Sequence, residues 1–245
     1  MSTFVLVHGA WHGAWCWYKV VPLLRRAGYD VIAPDLPSLG RDSTPVDQVS
    51  LNSWTEYLCR IVEAQTEPVL LVGHSRGGIL LSAVAERLPK RISHLVYVTA
   101  LLLQDGETIG QLLVEDGTSL IIPNRVPSSD GFSSTVKDEA LRETFYANCP
   151  EEDITLARML LKPEPRGPGA TPMHITAANF GSVPRAYIEC LRDQAIPLPL
   201  QRRMQAALPC GRVWSIDTDH SPFFSAPQRL AEVLLSIPGC SANAA

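Results

Sequence analysis

A serine with glycines on both sides marks the part of this sequence best suited to chemistry. In Gly73-His74-Ser75-Arg76-Gly77, the serine follows an apolar run over 68–72 and precedes a second one over 79–85. The first run is typical of a buried strand and the second of a packed helix. A tight turn between them needs glycine, because side chains do not fit there, and it exposes the serine hydroxyl. We therefore predict that Ser75 is a nucleophile; a passive serine in a glycine-rich turn is the alternative.

A serine hydroxyl needs a base that removes its proton, and His220 is the first candidate. It follows an apolar run that indicates a strand, and it lies in a loop before the last predicted helix. The other histidine well beyond the serine is His174, which lies among helix-breaking residues. Position at a strand end favours His220 as the base; a surface-loop histidine is the alternative.

The base in turn needs a carboxylate that fixes its orientation. Asp193 follows a predicted strand, where such an acid is expected, and is the first candidate. Asp105, after an earlier predicted strand, is the alternative. Asp217 and Asp219 are too close in sequence to His220 to orient it easily. We expect them to cap the last helix or to lie in its solvated loop.

Negative charge that develops on an attacked carbonyl oxygen needs preorganised N–H donors. The backbone N–H of Arg76 lies at the predicted helix start, and the loop after the first strand supplies a second donor, for which we choose Ala10. Gly9 lets that loop turn sharply. We expect His8 and His74 to hold the backbone in shape and to take no part in proton transfer.

Size and composition indicate one α/β domain with a substantial core. The chain has 245 residues, of which 46% are apolar and 19% charged, and its net charge of −4 gives no basic surface for nucleic acid. No apolar stretch is long enough to span a bilayer. The N-terminal residues enter a predicted strand without the pattern of a signal peptide, so we expect a cytoplasmic protein.

We expect no metal, no other cofactor and no disulfide framework. The cysteines are scattered without C-x-x-C pairs, and His8 and His12 have no carboxylate or thiol cluster beside them. The six thiols should act as small apolar side chains. They are Cys16, Cys59, Cys149, Cys190, Cys210 and Cys240.

Apolar runs alternate with helical patterns along the chain. The strand runs are nearly continuous, as in a parallel sheet covered on both faces. The predicted strands are 4–8, 29–33, 68–73, 92–98, 185–190 and 212–217. The predicted helices are about 15–27, 52–66, 77–88, 198–207 and 224–236. Right-handed crossovers give a doubly wound, mostly parallel sheet of about six strands, with ligands at the carboxyl ends of the strands.

The alternation breaks after the fourth predicted strand. We predict a core of 1–102 and 184–245 and a helical cap of 103–183 over the strand ends. Helical patterns lie at 139–147 and 151–161, and the apolar side chains of the segment argue against a solvated excursion. They also make a homodimer plausible. The candidate pocket residues are Trp11, Leu103, Phe132, Phe145, Leu160 and Phe180.

Six stretches of the chain match one known family. The opening, from His8-Gly9-Ala10-Trp11 to Lys19, is the most specific of them; the others are 28–36, the serine turn, 156–163, 193–197 and 219–222. Together they resemble the plant methylesterase and hydroxynitrile lyase family of α/β-hydrolases over nearly the whole chain. The resemblance implies an α/β-hydrolase fold with a capped six-stranded, mostly parallel sheet and the triad Ser75, Asp193 and His220. It also implies an esterase, often of methyl esters, or a lyase that cleaves cyanohydrins.

Departures from the family pattern distinguish its branches. Its plant lyases carry threonine where this chain has Gly9, and lysine where it has Ser221. The charge of that lysine stabilises departing cyanide, so its absence favours the esterase branch. Arg76 stands where the plant esterases have a small or apolar residue. We expect its side chain to contact the cap; reaching the pocket or lying in solvent are the alternatives.

The sequence thus predicts a serine carboxylesterase that acts through an acyl-enzyme on Ser75. The expected partner is a small-molecule ester, small or aromatic, with methyl esters included. A hydroxynitrile lyase is one alternative. A ligand receptor on a hydrolase scaffold, with the same triad but very slow turnover, is a second, and a cofactor-free oxygenase is a third.

Overall fold

Six parallel strands form the central sheet of the computed structural model, which describes residues 3–237. A second, smaller sheet contributes three more strands. In chain order, the strands of both sheets are β1 (Thr3–Val7), β2 (Asp30–Ile32), β3 (Val69–His74), β4 (Ile92–Val98), β5 (Arg125–Pro127), β6 (Ser133–Val136), β7 (Glu164–Pro165), β8 (Arg185–Cys190) and β9 (Arg212–Ile216). The order of the central sheet is β2-β1-β3-β4-β8-β9, and each neighbouring pair is parallel. The predicted fold class is confirmed, with all six predicted strands in place.

The described residues also form eleven α-helices. They are α1 (Val20–Arg26), α2 (Leu51–Glu63), α3 (Gly77–Arg87), α4 (Ile109–Asp116), α5 (Ile121–Asn124), α6 (Leu141–Phe145), α7 (Glu151–Leu160), α8 (Arg166–Ala170), α9 (Leu198–Ala207), α10 (Pro222–Ser225) and α11 (Pro227–Leu235). Of these, α4 to α8 lie in the segment between β4 and β8. Helix α1 packs on α11, and α2 packs on α3. Every residue of β1 and β3 is buried, so these central strands are covered on both faces.

The segment between β4 and β8 contains strands as well as helices. The helical patterns at 139–147 and 151–161 correspond to α6 and α7. The sequence did not predict the antiparallel sheet β5-β6-β7, whose strands pair over two or three residues each. Such short strands, flanked by Pro and Gly, show no period-two pattern long enough to recognise. The boundaries of the cap at 103 and 183 remain a prediction.

The described residues contain neither a helix that could span a membrane nor a side-chain cluster that could hold a metal ion. Between residues 3 and 237, no helix has the length and apolar character to cross a membrane. Within the same range, no group of three or more His, Cys, Asp or Glu side chains could hold a metal ion. Cys240 and the last stretch of the predicted core, 238–245, lie outside the described residues.

Candidate active site

Ser75 lies on the sharp turn between β3 and α3. Its φ of +54° is in the left-handed region, which costs energy for a residue with a Cβ atom. The segment after β4 holds the turn, because Leu101 N–H donates to Ser75 O at 2.9 Å. A Cβ atom on Gly78 would lie 2.2 Å from Leu101 O, so glycine is required for this close approach. The strained turn presents the hydroxyl at the carboxyl edge of the sheet.

The imidazole of His220 reaches that hydroxyl from the loop after β9. Its Nε2 lies 2.9 Å from Ser75 Oγ, and its Nδ1 lies 2.6 Å from Asp193 Oδ2. Because Asp193 accepts a hydrogen bond from Nδ1, Nε2 is left to accept the serine proton. The Ser75 side chain is nearly buried, and His220 and Asp193 are almost fully buried. The three predicted residues therefore form one continuous hydrogen-bonded chain.

Asp193 is fixed by four donors. Its Oδ1 accepts the backbone N–H groups of Ala195 at 2.7 Å and Ile196 at 2.8 Å. Its Oδ2 accepts the hydroxyl of Thr99 in addition to the imidazole of His220. Thr99 follows β4 and has a φ of +37°, so a second strained residue supports the site. A buried carboxylate with this many donors is held in a single orientation.

The alternative acid and base are paired with each other on the surface. His174 Nδ1 lies 3.3 Å from Asp105 Oδ1, and both side chains are more than half exposed. Asp105 also accepts the N–H of Ile175. The structure therefore brings neither residue to Ser75.

Asp219 differs from the expectation of a solvated loop. It is buried, and its Oδ1 accepts the N–H of Ser221, just before α10, and the hydroxyl of Ser225, the last residue of α10. Its Oδ2 accepts the N–H of Asn148 at 2.6 Å, which ties the His220 loop to the segment after α6. Asp217 is exposed and pairs with Arg192.

The loop after β1 leaves the backbone N–H of Ala10 free beside the serine. The carbonyl groups of Gly9, Ala10 and Trp11 all accept hydrogen bonds, and the N–H of Trp11 donates to Glu164. In contrast, the N–H groups of Ala10 and Arg76 have no acceptor among residues 3–237, and both residues line the cavity that contains Ser75. These are the two N–H groups predicted to bind an oxyanion.

The side chain of Arg76 contacts the inserted segment, as expected. Its Nε donates to Glu164 Oε1 at 2.9 Å, its Nη2 donates to Gly9 O at 2.9 Å, and its guanidinium lies 4.3 Å from the ring centroid of Trp54. Arg76 and Glu164 are both buried. Burial lowers the pKa of Arg76 and raises that of Glu164, whereas their mutual attraction opposes both shifts.

A cavity of about 290 Å³ opens at Ser75. Its walls are mainly apolar, with charged groups on the side of the small sheet. Its lining includes Ala10, Trp11, Ser75, Arg76, Arg125, Glu164 and Arg166. A cavity of this volume suits a small or aromatic molecule.

The predicted pocket residues need correction. Of the six, Trp11 lines this cavity, and it also lines a neighbouring one of about 190 Å³ together with Phe145. The Phe145 ring packs on that of His220 at 5.6 Å between centroids. The other four line neither cavity. The sequence could not show this, because apolar character alone does not say which surface a side chain faces. Leu103 and Phe180 are buried in the core, whereas Phe132 and Leu160 are exposed.

Three buried histidines surround the site and are neutral at physiological pH. Burial lowers the pKa of His8 to about 3 and that of His12 to about 4, and it also lowers the pKa of His74. His74 Nε2 donates to His220 O at 2.7 Å. His8 and His74 therefore bind backbone, as expected.

Sequence reasoning missed three residues that support the site: Thr99, Glu164 and Asp219. Thr99 stands directly after a predicted strand, and that position was the available signal. Glu164 is hidden between prolines at 163 and 165, a context typical of a loop. Asp219 was expected to cap the last helix or to lie in its solvated loop, and its burial was missed because that burial depends on contacts with the distant residues Asn148 and Cys149.

Comparisons with known proteins agree with this geometry. Residues 4–233 match the family model described as alpha/beta hydrolase family. Methylesterase 1 from Arabidopsis thaliana is 34% identical to this chain, with 96% of this chain and 95% of the relative covered. This chain is an α/β-hydrolase of the methylesterase family.

Solved α/β-hydrolases superpose closely on it. Polyneuridine aldehyde esterase is 29% identical with a TM-score of 0.87, covering 96% of this chain and 98% of that one. A pyrethroid hydrolase from Sphingobium faniae JZ-2 is 31% identical with a TM-score of 0.87, covering 95% of each chain. Three chloroplastic methylesterase sequences from Arabidopsis thaliana are longer, and this hydrolase spans 63%, 55% and 56% of their lengths.

Proposed function

We propose that this α/β-hydrolase is a serine carboxylesterase that forms an acyl-enzyme on Ser75. The observation that carries the proposal is the buried chain from Asp193 through His220 to Ser75, with contacts of 2.6 and 2.9 Å, beside two free N–H groups. Relatives named as methylesterases and esterases support the same reaction.

In the first half-reaction, the ester carbonyl lies in the cavity at Ser75. Ser75 Oγ attacks the carbonyl carbon as its proton moves to His220 Nε2, and the carbonyl electron pair becomes an oxyanion. The N–H groups of Ala10 and Arg76 bind that oxyanion, and Asp193 balances the charge of the imidazolium. Collapse of the intermediate expels the alcohol, which takes the proton from His220.

In the second half-reaction, a water molecule attacks the acyl-enzyme. His220 accepts the proton of the water and returns it to Ser75 Oγ as the carboxylic acid leaves. The cavity of about 290 Å³ favours small or aromatic acyl groups, and methyl esters are the substrates proposed first.

The geometry does not favour a hydroxynitrile lyase. Ser221 is buried and supplies no positive charge for departing cyanide. At Gly9, an added Cβ atom would lie 2.8 Å from His74 Nδ1 and 2.9 Å from Ser75 Cβ, so threonine does not fit without movement of the backbone. Mandelonitrile should therefore release no cyanide above the uncatalysed rate.

The proposal predicts that Ser75→Ala lowers turnover of p-nitrophenyl acetate by roughly 10⁵ or more, because the nucleophile is lost while the cavity remains. Steady-state kinetics of both proteins on p-nitrophenyl acetate and methyl benzoate measure this. Ser38→Ala, a serine with positive φ in a different loop, is the matched control and should retain turnover. A Ser75→Ala protein with a tenth of wild-type turnover would contradict the proposal. A single burst of product from the wild type, without steady turnover, would instead indicate a ligand receptor on a hydrolase scaffold.

A further inference from the structure

The peptide that joins Gly9 to Ala10 has a held carbonyl and a free N–H. A trans peptide is planar, so its C=O and N–H point in opposite directions and turn together. Gly9 O accepts hydrogen bonds from Arg76 Nη2 at 2.9 Å and from His8 Nδ1 at 2.9 Å. Any group that fixes this carbonyl also aims the N–H of Ala10.

The two donors to Gly9 O differ in charge. Leu36 N–H donates to His8 Nε2 at 3.2 Å, so the single proton of the neutral ring is on Nδ1. The pKa of His8, lowered to about 3 by burial, keeps that ring uncharged. Arg76 is the charged donor, and charge-assisted hydrogen bonds are the stronger kind. A cation at Gly9 O also polarises the peptide and makes the N–H of Ala10 a better donor.

The guanidinium is itself held in place. Its Cζ lies over the Trp54 ring at 4.3 Å from the centroid, and its Nε donates to Glu164 Oε1. The second oxygen of Glu164 accepts the N–H of Trp11 at 2.9 Å, and Trp11 has a left-handed φ of +63°. One buried ion pair therefore fixes the residues on both sides of Ala10.

We propose that Arg76 and Glu164 are positioning residues, whose ion pair aims the Ala10 N–H at the oxyanion. The inference rests on the proposed function and adds a second task for Arg76, whose own backbone N–H is the other donor. It also makes strand β7 part of the catalytic apparatus, since Glu164 reaches the loop from there. Neither side chain needs to touch the substrate.

Three substitutions test the inference. Arg76→Met keeps the length and the backbone N–H but removes the bond to Gly9 O, and we expect kcat on p-nitrophenyl acetate to fall by about 10- to 100-fold with KM unchanged. Arg76→Lys can still donate to Gly9 O and should recover part of the loss. Glu164→Gln should give a smaller fall in kcat, because the amide cannot serve both Arg76 and Trp11.

Arg185→Met is the matched control. Arg185 also lies over an aromatic ring, that of Phe180, and donates to two carbonyl groups, but at the amino end of β8. Its loss should leave kcat and KM unchanged. Active-site titration with an organophosphate counts the folded, reactive Ser75 in each variant, so that unfolding is not mistaken for slow chemistry.

A transition-state analogue separates positioning from general stability. A trifluoromethyl ketone forms a tetrahedral oxyanion on Ser75, whereas the acid product binds without one. For the variants at 76 and 164, we expect the inhibition constant of the ketone to rise by the same factor by which kcat/KM falls, with that of the product unchanged. An inactive fraction alone would lower kcat and leave both constants as they are.

The outcomes distinguish this inference from the proposed function. If Arg76→Met keeps kcat within about threefold of wild type while only its thermal midpoint falls, the ion pair merely stabilises the fold and the inference is wrong. If KM rises while kcat stays, Arg76 binds substrate and the inference is also wrong. If the wild type itself shows no turnover that depends on Ser75, both the proposed function and the inference fail.

Discussion

At Ser75, reactivity depends on the backbone as well as on the neighbouring side chains. The φ of +54° lifts the hydroxyl to the edge of the sheet, and Thr99 with a φ of +37° supports the acid opposite. Both strained residues belong to the site, where such conformations are typically retained for function. His220 is held at two points. Its Nδ1 donates to Asp193, and its backbone carbonyl accepts a hydrogen bond from His74 Nε2.

Substitution of two aspartates tests which of them is the acid of the triad. Asp193→Asn should lower kcat by about 10⁴, because an amide cannot hold His220 in the tautomer that accepts the serine proton. Asp105→Asn, at an exposed position, should change kcat by less than about twofold. Steady-state kinetics at pH 7 measure both. The reverse ranking would transfer the role of the acid to Asp105.

The residues that the sequence predicted and that the structure brings together share one property: each lies within four residues after the end of a strand. Ser75, Asp193 and His220 follow apolar runs, and the parallel topology then brings those ends to one edge. Thr99 and Glu164 were missed because their roles depend on partners about 90 residues away in sequence. Short-range patterns carry no signal for such a pair.

Among the elements, the small sheet β5-β6-β7 was the least predictable, and it supplies one side of the cavity wall. Its strands have two to four residues each, too few for a period to show. Glu164 on β7 reaches Arg76, and Ser134 O on β6 accepts Trp11 Nε1 at 2.9 Å. The sheet therefore packs on the oxyanion loop, and its pairing matters for the reaction.

The same sheet places two arginines on the cavity wall. Arg125 begins β5 and Arg166 follows β7; neither forms an ion pair within residues 3–237. Burial and the nearby charge of Arg166 lower the pKa of Arg125. An ester with a free carboxylate should therefore have a lower KM than its neutral analogue, such as monomethyl against dimethyl phthalate.

Arg125→Gln and Arg166→Gln test this charge effect. Each should raise the KM of the acidic ester by up to about fivefold, the range of partly exposed ion pairs, and leave that of the neutral ester unchanged. Arg158→Gln, which removes a charge at the neighbouring cavity, is the control. Equal changes in KM for both esters would contradict a role of charge in binding.

For the whole molecule, buried neutral histidines link stability to pH. His8 and His12 have pKa values of about 3 and 4, below the usual 6.5, because they are buried. Between pH 6.5 and about 4 they take up protons in the unfolded chain and not in the folded one. The free energy of unfolding should therefore fall as pH falls, by up to about 1.4 kcal/mol per pH unit for each group.

Urea unfolding at pH 7 and pH 5 measures this dependence. His12→Gln should reduce the difference in the free energy of unfolding between pH 7 and pH 5, because it removes one of the buried histidines. His174→Gln, at an exposed position, should leave that difference unchanged. Equal stability of the wild type at both pH values would show that these rings are not held neutral by burial.

The overall architecture was predictable because parallel strands with continuous apolar runs leave few alternatives. Cavity shape was not, since it depends on how the inserted segment packs over the sheet. A homodimer and a cytoplasmic location remain predictions from the sequence.

The central claim is that Ser75 is a nucleophile activated by His220. The most direct measurement is labelling with diethyl p-nitrophenyl phosphate, followed by mass spectrometry of the digested protein. We expect one phosphoryl group per chain, on the peptide that contains Ser75, with no labelling in Ser75→Ala and labelling at least about 10³-fold slower in His220→Ala. Label on another residue, or turnover that continues after Ser75 is fully blocked, would contradict the account.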